Sequence, residues 1–475
     1  MKKLFHVIFC IFIVNITQAQ TQNINSKIEL LETWLEAQRT YKTIPGISIA
    51  IISDNKTIYA NGFGLSDIAQ QEKTSSETLY RIASITKVFT CTAIMQLRDK
   101  GLLSLHDEVQ NYLPWFKIKQ IFPDSPHITI WHIMTHTSGL PREAAFPYWT
   151  DHKFPTMNQI KNTISNQSTL YRPAEKYQYS NLGISLLGEV IEKISGTSYE
   201  NYIRSNILIP LEMKNTYVNL DENIQNSLSK CYTVKRQDGS RRVIPVSDTK
   251  GLVAAANMSS NVLDLAKFIA FNLNAYNDEK QSVLNKSSIR EMHRLQWINK
   301  NWNSGRGIGY SISKMNDMTI VGHGGWIEAF RSQILFCPEK KIGVVVMTNA
   351  DDATPAYFTE QILQIIIQDI KNDDSAPPSP IKAQWKKYKG LYKDPWEWYY
   401  KILIINNQLY LYSYNYPPED NPLNSLTHLT YLQPHVYQFS SSNDVKYKLV
   451  FEIDENDNVY KIKKGENYIF PVQNE

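Results

Sequence analysis

Apolar residues recur at helical spacing in two stretches of this chain, and each stretch begins beside polar residues. The first follows Ser84 and ends near Gly101, where Arg98 and Lys100 supply the basic last turn common at a helix end. The second follows Tyr179. The pattern predicts two buried helices, one starting at Ser84 and one just after Tyr179. Their apolar positions are Val88, Phe89, Cys91, Ile94, Met95 and Leu97, and then Leu182, Ile184, Leu186, Leu187, Val190, Ile191 and Ile194.

Short apolar runs typical of buried strands lie at both ends of the segment before residue 372. They are Ile47 to Ile52, Ser332 to Phe336 and Gly343 to Met347, and helical patterns such as Gln361 to Ile370 flank them. Strands from both ends of a segment around central helices are typical of one sheet with helices on its faces. We predict an α+β fold, in which an antiparallel sheet is flanked by helices and a helical subdomain carries Tyr179.

A proline-rich stretch from Asn372 to Pro380 cannot continue a helix. We interpret residues 372–384 as a linker between a first domain at 20–371 and a second at 385–475. Short alternating runs separated by turn residues predict a small all-β, barrel-like second domain. Aromatic residues such as Trp396 and Trp398 are expected in its core, and a ligand-binding cage is the alternative for them. The runs are Tyr399 to Ile404, Gln408 to Tyr412, Val436 to Phe439, Lys446 to Ile453 and Val459 to Ile462.

The first residues have the pattern of a signal peptide. Lys2 and Lys3 precede the apolar run Leu4 to Val14, and Thr17 to Ala19 fit a cleavage site. This predicts a signal peptide at 1–19 and a periplasmic or secreted protein. No later stretch reaches the roughly 20 apolar residues of a membrane span, so we expect no transmembrane anchor after cleavage.

The charge argues against a nucleic-acid partner. The 475 residues carry a formal net charge of +4, which falls to +2 without Lys2 and Lys3, and there is no basic stripe. Three cysteines, Cys91, Cys231 and Cys337, follow the signal segment and do not have the spacing of a disulfide framework.

Ser-x-x-Lys occurs six times, but only Ser84 opens a sustained apolar helix. Residues three apart share a helix face, so Lys87 can place its amine beside the Ser84 hydroxyl and take its proton. The helix N-terminus adds free N–H groups where negative charge would develop. Ser84 is therefore the candidate nucleophile. The alternative is that Ser84 only caps its helix.

Two further motifs carry candidate chemistry. Tyr179 lies between a turn and a helix, and a neighbouring ammonium would favour its phenolate, so that Tyr179 or Lys87 could accept the Ser84 proton. His323 is followed by Gly324 and Gly325, glycines that allow backbone to approach a substrate closely. On a strand beside the Ser84 helix, the N–H of Trp326 would join that of Ser84 in an oxyanion hole.

Each of these two motifs also has a purely structural interpretation. Tyr179 is also compatible with a core tyrosine, and His323 with a glycine hairpin that carries a surface histidine. His132 and His136 stand four residues apart on one predicted helix, but the glutamate of a His-Glu-x-x-His zinc site is absent.

The order and context of these motifs resemble the serine β-lactamase-like hydrolases, which include class C β-lactamases, D-alanyl-D-alanine carboxypeptidases and related esterases and D-amino-acid peptidases. The resemblance spans residues 28–370, and the segment from Tyr388 to Tyr392 resembles the opening of lipocalin-like domains attached to that family. Further matching segments are Pro45 to Ala50, Ile128 to Ile130, His136 to Pro141, Pro210 to Met213 with Thr216, and Asp264 to Phe268.

The resemblance implies a Ser84 acyl-enzyme, with Lys87 as proton partner, Tyr179 as general base and Asn181 as a substrate-amide contact. His323 stands where penicillin-binding members carry a lysine, which fits esterase or peptidase members better than efficient penicillin turnover. Expected substrates are small esters or amides of peptide, D-amino-acid or β-lactam type, peptidoglycan-derived peptides among them, without a metal or organic cofactor. The alternative function is a non-hydrolytic penicillin-binding sensor or scaffold.

Three positions depart from the family pattern. Ala174 replaces a usual glycine, the run Ala254 to Met258 replaces a double-glycine loop, and Glu328 with Ala329 replaces Pro-Gly. Because each substitution restricts the backbone and adds bulk near a cleft, they put the substrate range in doubt.

Overall fold

The computed structural model describes residues 27–277, 283–368, 382–440 and 446–472. The predicted signal peptide at 1–19 and most of the predicted linker lie outside these residues. The described residues form two compact units, one within 43–363 and one in which residues 27–42 group with those after 363. The first domain predicted from the sequence, 20–371, includes residues that group with the second unit.

In the described part of the chain, the first unit contains a nine-stranded antiparallel sheet, as predicted, and a two-stranded ribbon of β4 and β5. The strands, in chain order, are β1 Gly46–Ser53, β2 Lys56–Asp67, β3 Glu72–Lys73, β4 Tyr80–Arg81, β5 Ser259–Ser260, β6 Trp297–Ile298, β7 Ser304–Arg306, β8 Ser311–Met315, β9 Met318–Ile327, β10 Phe330–Cys337 and β11 Ile342–Thr348. The sheet order is β3-β2-β1-β11-β10-β9-β8-β7-β6. Strands from both ends of the segment thus pair at its centre, where Ile49 lies opposite Val346.

Helices of the first unit cover this sheet and form the predicted helical subdomain. The helix at 27–41 and the turns at 382–388 and 422–425 belong to the second unit. The described helices with α-helical geometry are α1 27–41, α2 Thr86–Asp99, α3 Val109–Tyr112, α4 Ile130–Met134, α5 Tyr148–Asp151, α6 Met157–Thr163, α7 Asn181–Ser195, α8 Tyr199–Ile203, α9 Glu222–Ser227, α10 Val253–Ala256, α11 Val262–Leu273, α12 Lys286–Met292 and α13 Pro355–Ile367. Short 3-10 turns are Ala83–Ile85, Ile164–Asn166, Lys250–Leu252, Asn274–Tyr276, Lys382–Tyr388 and Pro422–Ser425, and Arg204–Leu208 is a π-helical turn.

Two of these helices fix the positions of the candidate site. Helix α2 is buried from Thr86 to Leu97, and Phe89 stacks on Phe268 of α11 with 4.1 Å between ring centroids. Helix α7 begins after Ser180, whose hydroxyl accepts the N–H of Gly183, and ends at Gly196 in the left-handed conformation. Both predicted buried helices are confirmed.

The second unit is an all-β, nearly closed barrel, as the alternating pattern predicts. Within the described residues its nine strands are β12 Gly390–Lys393, β13 Tyr399–Ile405, β14 Gln408–Ser413, β15 Leu426–His428, β16 Thr430–Gln433, β17 Val436–Ser440, β18 Lys446–Ile453, β19 Val459–Lys464 and β20 Asn467–Pro471. Their order is β15-β14-β13-β12-β20-β19-β18-β17-β16.

The expectation that Trp396 and Trp398 belong to the barrel core is wrong. Both lie in the turn between β12 and β13, and they are 72% and 49% exposed. The core aromatics are instead Trp385, Tyr388, Tyr437 and Phe451. The turn is held by the carboxylate of Asp394, which accepts the N–H groups of both tryptophans.

Among the described residues, no helix combines the length and the apolar character needed to cross a membrane.

Candidate active site

Ser84 lies in a 3-10 turn that leads directly into α2. The Nζ atom of Lys87 donates a hydrogen bond to Ser84 Oγ at 2.9 Å and another to the carbonyl oxygen of Ala255 at 2.8 Å. Ala83, immediately before the serine, has a φ of +47°, a conformation that L-residues adopt at a cost. The predicted pairing of Ser84 and Lys87 is therefore present, on a tightly turned backbone.

Burial is the main influence on Lys87. Its side chain is fully buried, and burial lowers its pKa to about 7, with the nearby Arg142 acting in the same direction and Glu143 opposing it. A large fraction of Lys87 is consequently neutral near neutral pH. A neutral amine hydrogen-bonded to a serine hydroxyl can accept its proton.

Tyr179 lies in the loop before α7 and reaches the same point. Burial raises the pKa of its phenol to about 12, and the Ser84 side chain opposes that rise only in part. The Lys87 ammonium nitrogen lies 4.9 Å from the centroid of the Tyr179 ring. The expectation of a favoured phenolate does not hold, because burial destabilises the anion more than the neighbouring groups stabilise it.

His136 anchors the Tyr179 loop, a role that the sequence analysis missed. Its Nδ1 accepts the N–H of Ser180 at 3.1 Å, its carbonyl oxygen accepts the N–H of Gln178, and its ring lies 4.3 Å from that of Tyr179. Burial holds the pKa of His136 well below its usual value, so the imidazole is neutral. The sequence predicted His136 on one helix with His132, but α4 ends at Met134 and His136 lies in the turn after it, with a φ of +57°. A local pattern also does not show which ring a histidine contacts.

His132 has a separate and purely local role. Its Nδ1 accepts the N–H of Thr129, and the Thr129 hydroxyl accepts the N–H of His132, which together form a capping box at the start of α4. Among the described residues, no group of three or more His, Cys, Asp or Glu side chains has the arrangement of a metal site.

His323, Gly324 and Gly325 lie in β9, next to the Ser84 turn. A Cβ atom on Gly325 would collide with the carbonyl oxygen of Ile82, so glycine lets this strand approach the backbone just before the nucleophile. Gly325 thus permits a close approach to the Ser84 turn, and the predicted close approach of this segment to a substrate stays a prediction.

His323 is neutral, and its tautomer is fixed. Its Nδ1 donates to the carbonyl oxygen of Gly324 at 2.7 Å, since a carbonyl can only accept, and this leaves Nε2 as an acceptor. Burial lowers the His323 pKa to about 3, and the charge of Lys87 acts in the same direction. A neutral acceptor is poorly suited to hold a substrate carboxylate, because both groups only accept hydrogen bonds there.

Trp326 ends the glycine segment and has an exposed side chain. Its indole Nε1 donates to Asp351 at 2.7 Å, and the guanidinium of Arg331 lies 4.2 Å from the centre of one of its rings. The indole is thus held at the surface. The oxyanion role of the Trp326 N–H stays a prediction.

Asn181 is the first residue of α7, two positions after Tyr179, and is almost completely buried. Its Nδ2 donates to the carboxylate of Glu143 at 2.7 Å. Glu143 was not singled out in the sequence, where it only follows the segment from His136 to Pro141. Two arginines add positive charge near the tyrosines, Arg142 at 5.0 Å from the Tyr179 ring centroid and Arg306 at 4.7 Å from that of Tyr177.

The three departures from the family pattern have different physical consequences. Ala254 and Ala255 are buried in the core, so their methyl groups add no bulk to a cleft, and the Ala255 carbonyl accepts from Lys87. Ala174 and Glu328 adopt φ values of +64° and +47°, the left-handed region in which glycine is unstrained. Glu328 also accepts the N–H of Ser247.

Comparison with known proteins places this geometry in a family. The family model described as Beta-lactamase matches residues 31–366. Protein flp of Staphylococcus aureus strain MRSA252 is 29% identical over 338 residues, which is 71% of this chain and 66% of that protein. The chain thus spans slightly less than two thirds of the length of that curated relative.

Two solved structures are similar in fold. The octameric penicillin-binding protein homologue from Pyrococcus abyssi has 28% identity and a TM-score of 0.64, covering 93% of this chain and 99% of that one. A D-stereospecific amidohydrolase from Streptomyces sp. has 23% identity and a TM-score of 0.58, covering 70% of this chain and 98% of that one, and shows the fold alone. With the family match extending over most of its length, the chain belongs to the Beta-lactamase family and has the fold of its serine hydrolases.

Proposed function

We propose that this protein is an extracytoplasmic serine hydrolase that forms an acyl-enzyme on Ser84 and hydrolyses small esters or amides. The observation that carries the proposal is the 2.9 Å hydrogen bond between Lys87 Nζ and Ser84 Oγ, made by a lysine whose pKa burial lowers to about 7. The proposed substrates are of peptide, D-amino-acid or β-lactam type, including peptidoglycan-derived peptides. Family membership and the penicillin-binding homologue support this range.

In acylation, neutral Lys87 takes the proton of the Ser84 hydroxyl while Oγ attacks the substrate carbonyl carbon. The negative charge that forms on the carbonyl oxygen is met by the N–H groups of Ser84 and Trp326, each worth about 3 kcal/mol in such sites. Tyr179 is protonated and lies close to Ser84 and Lys87, so it passes its proton to the leaving group and receives one from Lys87. Water then cleaves the acyl ester by the same transfers in reverse.

The proposed location rests on the N-terminal pattern of Lys2, Lys3 and the apolar run that follows. A mature protein recovered outside the cytoplasm and beginning at Gln20 would support it. Recovery of the uncleaved chain in the cytoplasm would contradict it.

The test is intact-mass spectrometry after exposure to a fluorophosphonate, a penicillin and a p-nitrophenyl ester, with product release followed in parallel. We expect a Ser84 adduct and ester turnover that rises with pH through about 7, as Lys87 loses its proton. The Ser84→Ala variant should lose both signals. The matched control is Ser227→Ala, which removes an exposed serine of another Ser-x-x-Lys sequence and should change neither.

The outcomes separate the candidate functions. Adduct formation without product release would favour the alternative of a penicillin-binding sensor. A folded Ser84→Ala variant with full activity would refute the mechanism, and absence of both adduct and turnover in the unmodified protein would refute the hydrolase.

A further inference from the structure

The carboxylate of Glu143 lies against the side chain of Asn181. One oxygen accepts from Asn181 Nδ2 at 2.7 Å and lies 3.1 Å from Arg142 Nε, and the other accepts from the hydroxyl of buried Tyr148. A carboxylate accepts hydrogen bonds and cannot donate them, so the Asn181 atom that faces it must be the amide nitrogen. Glu143 therefore fixes which way the Asn181 amide is turned.

The opposite atom of that amide has no comparable contact. Asn181 Oδ1 is buried and finds no hydrogen-bond partner in the part of the chain that the structure describes. The Asn181 backbone is also fixed, because its N–H donates to the carbonyl oxygen of Arg142 at 2.8 Å. A buried acceptor without a partner is unfavourable, and a ligand that brings an N–H group relieves it.

We propose that Glu143 is a positioning residue that turns the Asn181 amide so that its oxygen accepts a hydrogen bond from a substrate N–H. The site then selects acyl groups that carry an amide N–H near the scissile carbonyl over acyl groups of the same shape without one. This inference rests on the proposed function and narrows its substrate class. Nε2 of His323, an acceptor on another element near Tyr179, adds to the same preference for donors.

Glu143 has a second, electrostatic effect on the same site. Burial lowers the pKa of Lys87, and the charge of Arg142 lowers it further. Glu143 and Cys91 act in the opposite direction. The other titratable groups at Lys87 are Tyr179, His136 and His323, with the two histidines neutral. Loss of the Glu143 charge alone should therefore move the acid limb of the pH profile to lower pH.

A matched pair of esters measures the contribution of the proposed hydrogen bond to the rate. The p-nitrophenyl esters of N-acetylglycine and of levulinic acid have the same shape, with N–H in the first and CH2 in the second. The ratio of their kcat/KM values reports the preference, and the change of this ratio between variants cancels the intrinsic reactivity of each ester. We expect Glu143→Leu, which frees the Asn181 amide, to lower the ratio about tenfold.

Three further variants separate positioning from charge and from folding. Glu143→Gln keeps an acceptor for Asn181 Nδ2 and should largely retain the ratio while the acid limb moves to lower pH. Asn181→Leu removes the acceptor and should lower the ratio as Glu143→Leu does, which keeps the test decisive if Glu143→Leu does not fold. The control is Glu189→Gln on the same helix, where the carboxylate pairs with Lys161 at 2.6 Å, and it should leave the ratio and the pH profile unchanged.

An unchanged ratio in folded Glu143→Leu, or in Asn181→Leu, overturns the inference while ester turnover still supports the hydrolase. No turnover of either ester by the unmodified protein, without a Ser84 adduct, overturns the proposed function and this inference with it.

Discussion

Lys87 combines full burial with a group that is charged in water, and this has a consequence for stability. Its pKa is about 7 in the folded protein and near 10.4 in an unfolded chain. Between these values the unfolded state binds more protons, so folding becomes more favourable as pH rises, by at most about 1.4 kcal/mol per pH unit. The penalty is complete below about pH 7 and gone above 10.4.

The Lys87→Met variant should lose this slope. Urea unfolding of both proteins at pH 7, 8 and 9 gives the difference in unfolding free energy, in which the other titrating groups largely cancel. We expect the unmodified protein to gain stability relative to the variant at each step. Equal pH dependences of the unfolding free energy in the two proteins would show that the pKa of Lys87 is not lowered in the folded state.

The backbone of Ala174 is strained because a residue with a Cβ atom does not easily adopt its conformation. Its φ of +64° lies in the left-handed region, which costs an L-residue about 1–2 kcal/mol, whereas glycine adopts it freely. Against this, glycine adds entropy to the unfolded chain. Ala174→Gly should therefore raise the unfolding free energy by about 0.5–1 kcal/mol, as measured by urea denaturation.

The same substitution inside a helix gives the contrast. Ala93 is buried in the middle of α2, where glycine is about 1 kcal/mol less favourable than alanine. Ala93→Gly should destabilise the protein while Ala174→Gly stabilises it. Destabilisation by both would mean that the Ala174 conformation is not strained in solution.

At the scale of elements, the start of α7 ties stability to the candidate site. The Ser180 hydroxyl accepts the N–H of Gly183 at 2.8 Å and donates to the carbonyl oxygen of Pro141 at 2.7 Å, and Tyr179 directly precedes it. Ser180→Ala should cost about 1–2 kcal/mol of unfolding free energy as a lost cap. It should also lower kcat on a p-nitrophenyl ester with little change in KM, because Tyr179 loses its support.

Helix α8 provides the control for a cap without chemistry. The Ser198 hydroxyl accepts the N–H of Asn201 at 3.2 Å in a similar cap, and Ser198 is not one of the candidate residues nor next to one in the sequence. Ser198→Ala should cost a similar amount of stability and leave kcat unchanged. Equal loss of kcat in both variants would indicate general loosening rather than an effect on Tyr179.

The helices and strands were largely predictable, because the spacing of apolar residues within each segment indicates its type. The run from Lys446 to Ile453 coincides with β18, and the helix after Tyr179 begins as its pattern indicates. Ser84, Lys87 and Tyr179 were predictable as a group from their spacing and resemblance. Glu143 and His136 were not, since their importance arises from contacts across tens of residues that no local pattern records.

At the scale of the whole molecule, what the sequence missed was again non-local. Helix α1 groups with the C-terminal barrel, although more than 300 residues separate them. Leu30 of α1 clusters with Leu403, Ile405 and Tyr410 of the barrel. Amphipathic spacing indicates that a helix has a buried face but not which partner covers it, so this assignment needed the structure.

Trp34 tests that grouping, because it is fully buried and its indole N–H donates to the carbonyl oxygen of Glu419 at 3.0 Å. Trp34→Ala should cost the C-terminal unit about 3–5 kcal/mol, as large core truncations do. Each unit has its own hydrophobic core, so we expect two calorimetric transitions, of which only one moves.

The control Trp396→Ala removes an indole that is 72% exposed and should shift neither transition. Since the candidate site lies wholly in residues 43–363, ester turnover by Trp34→Ala below its first transition should match that of the unmodified protein. A shift of the other transition, or loss of turnover at that temperature, would contradict the assignment of α1 to the barrel unit.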